Sequence, residues 1–123
     1  MTYKEQIQDP RWQKVRLEIM NRDGFICTNK FCTSLKNTTL NVHHLDYIPD
    51  TMIWEYPTYM LVTLCYPCHH KEQSRKRHEK FLLNTFKMHG FLVDDLLALS
   101  SKLETDKRFR NSMFKILREM QEY

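Results

Sequence analysis

Two segments decide the reading of this chain: Leu40-Asn41-Val42-His43-His44 and Leu61-Val62-Thr63-Leu64-Cys65-Tyr66-Pro67-Cys68-His69-His70. In the first, apolar Leu40 and Val42 alternate with polar Asn41 and His43, which predicts a strand over residues 39–45. In the second, the apolar run 60–64 predicts a partner strand. Tyr66-Pro67 then opens a helix with proline in its first turn, running to about residue 87 before Gly90. A double histidine therefore sits on one strand. A second double histidine opens the helix that follows the other strand.

Upstream, Asp9-Pro10 has the form of an N-cap followed by proline at the first helical position. Trp12, Val15, Ile19 and Met20 recur at helical spacing and Gly24 closes the pattern, predicting a helix over 10–23. Residues 46–57 form an irregular loop with two prolines and the aromatics Tyr47, Trp54 and Tyr56. Downstream, Leu92, Leu96, Leu99 and Leu103 mark one amphipathic helix. Phe109, Met113, Ile116, Leu117 and Met120 mark another. Lys107, Arg108, Arg110, Lys115 and Arg118 alternate with that last stripe and read as its polar face.

The expected fold class is therefore α+β: a small zinc-stapled core of two strands and a helix, an N-terminal helix, and additional C-terminal helices. Residues 1–90 would form the chemical domain. Residues 91–123 would be a helical extension packed on it.

Four cysteines occur as two close pairs, Cys27/Cys32 and Cys65/Cys68. Each pair fits a short turn that brings two sulfurs to one ion, and four thiolates make a closed tetrahedral Zn2+ site with no open position. That zinc would be structural. It would tie the segment after the first helix to the start of the helix after the second strand, holding the strand of His43 and His44 between them.

Neighbouring side chains on a strand point to opposite faces, so His43 and His44 cannot both bind one ion without distortion. Two roles fit better: one histidine holds a second, divalent metal and the other takes a proton from water. Histidine, with a pKa near about 6.5, suits a base at neutral pH. His69 follows a zinc ligand directly, so the knot fixes its position and aims it at a metal held by His43.

The chain has 123 residues, 41% hydrophobic and 28% charged. It carries a net charge of +4 and a sequence pI of about 8.9. One small domain with a metal staple fits these values, and the mild basicity suits a polyanionic partner. Lys71, Arg75, Lys76, Arg77 and Lys80 cluster along the helix that begins at the proposed metal, as phosphate contacts would. The start of the chain has no apolar signal core and no stretch approaches a membrane span, so a soluble, cytoplasmic protein is expected.

Taken together, Arg16-x5-Arg22-Asp23-x3-Cys27, Leu40-x-Val42-His43-His44 and Leu61-Val62-Thr63-Leu64-Cys65-x2-Cys68-His69 resemble the HNH endonuclease family and its ββα-metal motif. The resemblance spans about residues 9–72. Asp9-Pro10-Arg11-Trp12 and Trp54-Glu55-Tyr56-Pro57 are similar to a subgroup common in phage and bacterial genomes. The resemblance implies that His43 is the first ligand of a catalytic divalent metal such as Mg2+, Mn2+ or Ni2+. It implies that His44 is the general base and His69 the closing ligand. DNA would be the substrate, and a homodimer or a larger protein machine would complete a double-strand break.

The chain departs from the family at Met60, where an asparagine usually precedes the Leu-x-x-Leu-Cys run. Asp46, Asp50 and above all Glu55, set among aromatics, are the loop residues expected to supply an oxygen ligand or orient His44. The rival expectation is a non-catalytic zinc module that binds DNA or a protein partner.

Overall fold

A computed structural model describes residues 1–34 and 38–121. The chain is α+β and divides into two compact units, Met1–Gln73 and Ser74–Tyr123. This division falls ahead of residue 90, where the sequence placed the end of the chemical domain.

In the first unit, α1 (Tyr3–Gln8) and α2 (Pro10–Arg22) precede β1 (Leu40–His44). A 3-10 turn (Thr58–Met60) then leads into β2 (Leu61–Cys65) and α3 (Tyr66–Arg75). Asp9 caps α2, its carboxylate accepting the Arg11 backbone N–H at 2.8 Å, with Pro10 in the first helical position. The helix ends at Arg22. Gly24 follows with φ +74°, and the Phe25 N–H returns to the Met20 carbonyl at 2.8 Å. α1 is an addition to the expected elements. It starts at Thr2, whose hydroxyl accepts the Glu5 N–H at 3.2 Å and donates to the Glu5 carboxylate at 3.1 Å.

β1 and β2 pair antiparallel, with Val42 opposite Thr63, His43 opposite Val62 and His44 opposite Leu61. Alternation puts Leu40, Val42 and His44 on one face with Leu61, Thr63 and Cys65. Asn41 and His43 lie on the other with Val62 and Leu64. α2 packs on the sheet, and Trp12, Ile19, Met20, Val42, Ile53, Tyr56 and Leu61 form the buried cluster. Leu61 and Thr63 are fully buried. Met60 is half-buried and packs against this cluster.

Arg22 and Asp23 lock the end of α2 to β2. Arg22 meets both carboxylate oxygens of Asp23, at 2.9 and 3.0 Å. The guanidinium also donates to the carbonyls of Thr58, at 2.8 Å, and Leu61. Asp23 in turn accepts the Thr63 backbone N–H at 2.9 Å.

The second unit is helical: a 3-10 turn (Lys76–His78), α4 (Glu79–Met88), α5 (Val93–Thr105) and α6 (Lys107–Gln121). The single helix expected over 67–87 is interrupted at residues 76–78. Gly90, at φ +92°, follows α4 as expected. α5 begins with the Asp95 carboxylate accepting the Leu92 N–H at 3.0 Å, and it packs against α6. None of the described residues 74–121 is fully buried. Among the described residues no helix is long and apolar enough to cross a membrane.

Candidate metal centre and active site

The four cysteines converge. The Sγ atoms of Cys27, Cys32, Cys65 and Cys68 lie within 4.8 Å of one another, with Cys32 and Cys65 at 3.6 Å. A tetrahedral zinc with Zn–S bonds of about 2.3 Å needs sulfurs about 3.8 Å apart. A disulfide needs about 2 Å, and all four cysteines are free thiols. The donor set and its spacing therefore fit a zinc ion.

Two elements deliver these thiols. Cys65 ends β2 and Cys68 lies in the first turn of α3. The Cys27–Cys32 loop is tied to β2 by Thr28, whose backbone N–H and hydroxyl both donate to the Thr63 carbonyl, at 2.9 and 2.8 Å. Asn29 organises the loop. Its side-chain oxygen accepts the Phe31 N–H, and its amide lies 3.3 Å from Cys68 Sγ.

The thiols compete for charge. Burial resists ionisation of Cys65, but Ser34, the Cys68 backbone and the neighbouring thiols outweigh it and hold Cys65 down to about 6. Burial pushes Cys68 up to about 12, reinforced by the other thiols, and burial likewise raises Cys27. One thiolate is thus welcome and further ones repel it. Only a central cation lets all four ionise together.

The histidines occupy both faces of β1. His43 is buried, and its ring meets the His69 ring edge-on with centroids 5.0 Å apart. His69 lies in the first turn of α3, next to Cys68. Burial lowers the His69 pKa, and the charges of His44 and His70 lower it further. A neutral imidazole keeps the lone pair that a metal needs.

His44 faces the other way, into the core. Its ring stacks on Trp12 at 5.2 Å and 25° from parallel, and meets the Tyr56 ring edge-on at 4.6 Å. Its Nε2 lies 3.1 Å from the Ile53 carbonyl oxygen. A carbonyl only accepts, so Nε2 carries the proton and Nδ1 is the basic nitrogen. The Tyr56 hydroxyl anchors the loop by accepting the Ile48 N–H at 3.0 Å and donating to the Ile48 carbonyl at 3.3 Å.

The loop atom against His44 Nε2 is thus the backbone oxygen of Ile53, where sequence reasoning pointed to the Glu55 carboxylate. Glu55 is exposed, and its charge acts on Arg11, whose guanidinium lies 4.2 Å over the Trp54 ring. A backbone carbonyl has no residue signature, so nothing in the sequence announces this contact.

Among the described residues, the four cysteines form the one group of three or more ligand-type side chains. His43 and His69 stand as a pair beside it. The basic residues do not share one continuous helix. Lys71 and Arg75 lie on α3, Lys76 and Arg77 in the 3-10 turn, and Lys80 in the first turn of α4.

No known protein family, characterised protein or solved structure matches this chain.

Proposed function

We propose that this chain is a metal-dependent HNH-type endonuclease that hydrolyses DNA phosphodiester bonds. The observation that carries the reading is the arrangement of three histidines around β1. His43 and His69 meet ring to ring on one face, and His44 is clamped by Trp12, Tyr56 and the Ile53 carbonyl on the other.

In this reading Cys27, Cys32, Cys65 and Cys68 hold a structural zinc. His43 and His69 hold a catalytic divalent cation such as Mg2+, Mn2+ or Ni2+. When bound, that cation supplies positive charge to the scissile phosphate and the leaving oxygen. His44 does the proton work. The Ile53 carbonyl fixes its tautomer, so Nδ1 takes the proton from the attacking water. The Trp12 and Tyr56 rings stop the imidazole from turning, which keeps the basic nitrogen aimed. The raised positive charge on Nε2–H as Nδ1 is protonated strengthens the bond to the Ile53 oxygen. Lys71, Arg75, Lys76, Arg77 and Lys80 contact phosphates of the same DNA. A second copy, or a larger protein machine, cuts the other strand.

A second reading rests on Met60. This residue packs its thioether against the core at the position where the family carries an amide, and a thioether is a poor ligand for a hard cation. A non-catalytic zinc module that binds DNA or a protein partner accommodates that residue without cost.

Plasmid cleavage by zinc-loaded protein separates the two. Wild type and His44→Ala are compared with Mg2+, Mn2+ or Ni2+ added. Nicking that disappears in His44→Ala while zinc content is unchanged supports the nuclease. Equal cutting by both, or none by either, removes His44 from the role of base.

A further inference from the structure

The net positive charge of this chain resides in its second unit. Residues 1–73 contain eight Lys and Arg against eight Asp and Glu, whereas residues 74–123 contain eleven against seven. The unit that holds both candidate metal sites is therefore net neutral, and the helical unit carries the whole excess. A neutral unit gains little from long-range attraction to a polyanion.

On α6 this charge is sorted by face. At 100° per residue, Lys107, Arg108, Lys115, Arg118 and one acid, Glu119, fall within one arc with Asn111 and Ser112, whereas Phe109, Met113, Ile116, Leu117 and Met120 fall within the opposite arc. Lys107, Arg108, Asn111, Ser112 and Lys115 share one open patch on this face of the helix. Among the described residues, none of the three cations in this patch is in an ion pair.

We infer that the basic face of α6 is a docking site for the phosphodiester backbone of a nucleic acid. The inference deepens the nuclease reading by giving the chain a substrate-holding surface outside its catalytic unit. Lys107 and Lys115 are eight residues apart, a rise of about 12 Å. Each strand of B-DNA presents a phosphate every 3.4 Å or so along its axis, so the stripe reaches about three phosphates. Asn111 adds an amide donor between the cations. Ser112 donates to the Arg108 carbonyl at 3.1 Å, so its hydroxyl proton is engaged within the helix. The face has donors and charge but no base-reading geometry, so binding is indifferent to sequence.

The test is fluorescence anisotropy of a labelled 20-base-pair duplex with full-length, zinc-loaded protein and no added divalent cation. The triple variant Lys107→Gln/Arg108→Gln/Lys115→Gln is compared with Lys4→Gln/Lys14→Gln/Lys87→Gln, which removes the same charge elsewhere. Three phosphate contacts give a slope of about −2.7 in log K against log salt. Wild type therefore loses about 40-fold more affinity than the α6 variant between 50 and 200 mM salt, and the control variant tracks wild type. Unchanged salt dependence in the α6 variant overturns the inference, as does an equal loss in the control. Preferential binding to phosphatidylserine vesicles over duplex also overturns it. Circular dichroism of the variant confirms that α6 is intact.

Failure here is distinct from failure of the nuclease reading. His44→Ala binds duplex like wild type whether or not it cuts. A protein that never cuts yet loses binding in the α6 variant keeps the inference and loses the nuclease.

Discussion

Asp23 is the residue whose removal should cost the first unit most per atom. Its carboxylate accepts the Thr63 N–H at 2.9 Å, and Thr63 is fully buried. Replacing Asp23 with alanine leaves that N–H without an acceptor, a penalty of about 1–3 kcal/mol. The ion pair with Arg22 is partly exposed, with the arginine side chain 40% accessible, so it adds only about 0.5 kcal/mol. Arg22 retains the Thr58 and Leu61 carbonyls in either case. The expected loss for Asp23→Ala is therefore about 2–3 kcal/mol, and for Asp23→Asn about 1 kcal/mol, since the amide oxygen still accepts from Thr63.

Urea unfolding of the zinc-loaded protein, followed by tryptophan fluorescence, measures this directly, because both tryptophans, Trp12 and Trp54, lie in the first unit. The sign with pH follows from the lowered pKa of Asp23. Burial opposes its ionisation, but Arg22 and the Thr63 backbone outweigh burial. Its contribution is full above about pH 4 and disappears as pH falls through the lower folded value. Wild type and Asp23→Ala therefore converge in acid. An Asp23→Ala protein within about 0.5 kcal/mol of wild type at pH 7 refutes the reasoning, as does an Asp23→Asn protein no better than Asp23→Ala.

Other outcomes follow from the same geometry. Cys68→Ser should drop bound zinc from about one ion per chain to a small fraction, read by metal analysis, while the tryptophan fluorescence of the Trp12 layer stays near that of wild type. Zinc should be retained at neutral pH and released as pH falls, because protons compete for the thiolates. Tyr56→Phe keeps the ring beside His44 but removes both bonds to Ile48, and should cost about 1–2 kcal/mol in urea unfolding. Gly24→Ala should cost about 1 kcal/mol from its left-handed backbone alone, since a Cβ there meets nothing within 4 Å. His69 should titrate below the ordinary histidine value of about 6.5 in NMR of the zinc-loaded protein. Being depressed in the fold, it leaves stability undiminished above that value and subtracts from it as pH falls below.

Much of this architecture is legible because it rests on local chemistry. Asp9-Pro10 and Gly24 bracket α2 by capping and a left-handed turn, and both act within a few residues. The alternation of Leu40 and Val42 with Asn41 and His43 is a period of two, and the strand appears where that period lies. The cysteine spacing works for the same reason, since each pair occupies a single turn.

What stayed hidden has no side-chain signature. The interruption at Lys76–His78 contains neither glycine nor proline, so helical propensity runs straight through it. α1 carries an N-cap at Thr2, yet six residues offer little periodicity to detect. The hold on His44 comes from the Ile53 carbonyl, which any residue at that position supplies. Which residues deliver it depends on the course of the 46–57 loop, set by a tyrosine hydroxyl reaching back eight residues.

The opposed orientation of His43 and His44 gives the two side chains separate dependencies. His43 answers to α3, whose start is pinned at Cys68; His44 answers to Trp12 on α2 and to the loop held by Tyr56. Damage to the cysteine cluster therefore reaches His43 and His69 first and leaves the Trp12–His44–Tyr56 stack standing. Damage to α2 does the reverse. A single peptide bond joins the two residues, yet each can drift in sequence space with its own set of neighbours, and substitutions in the two layers should combine with little epistasis.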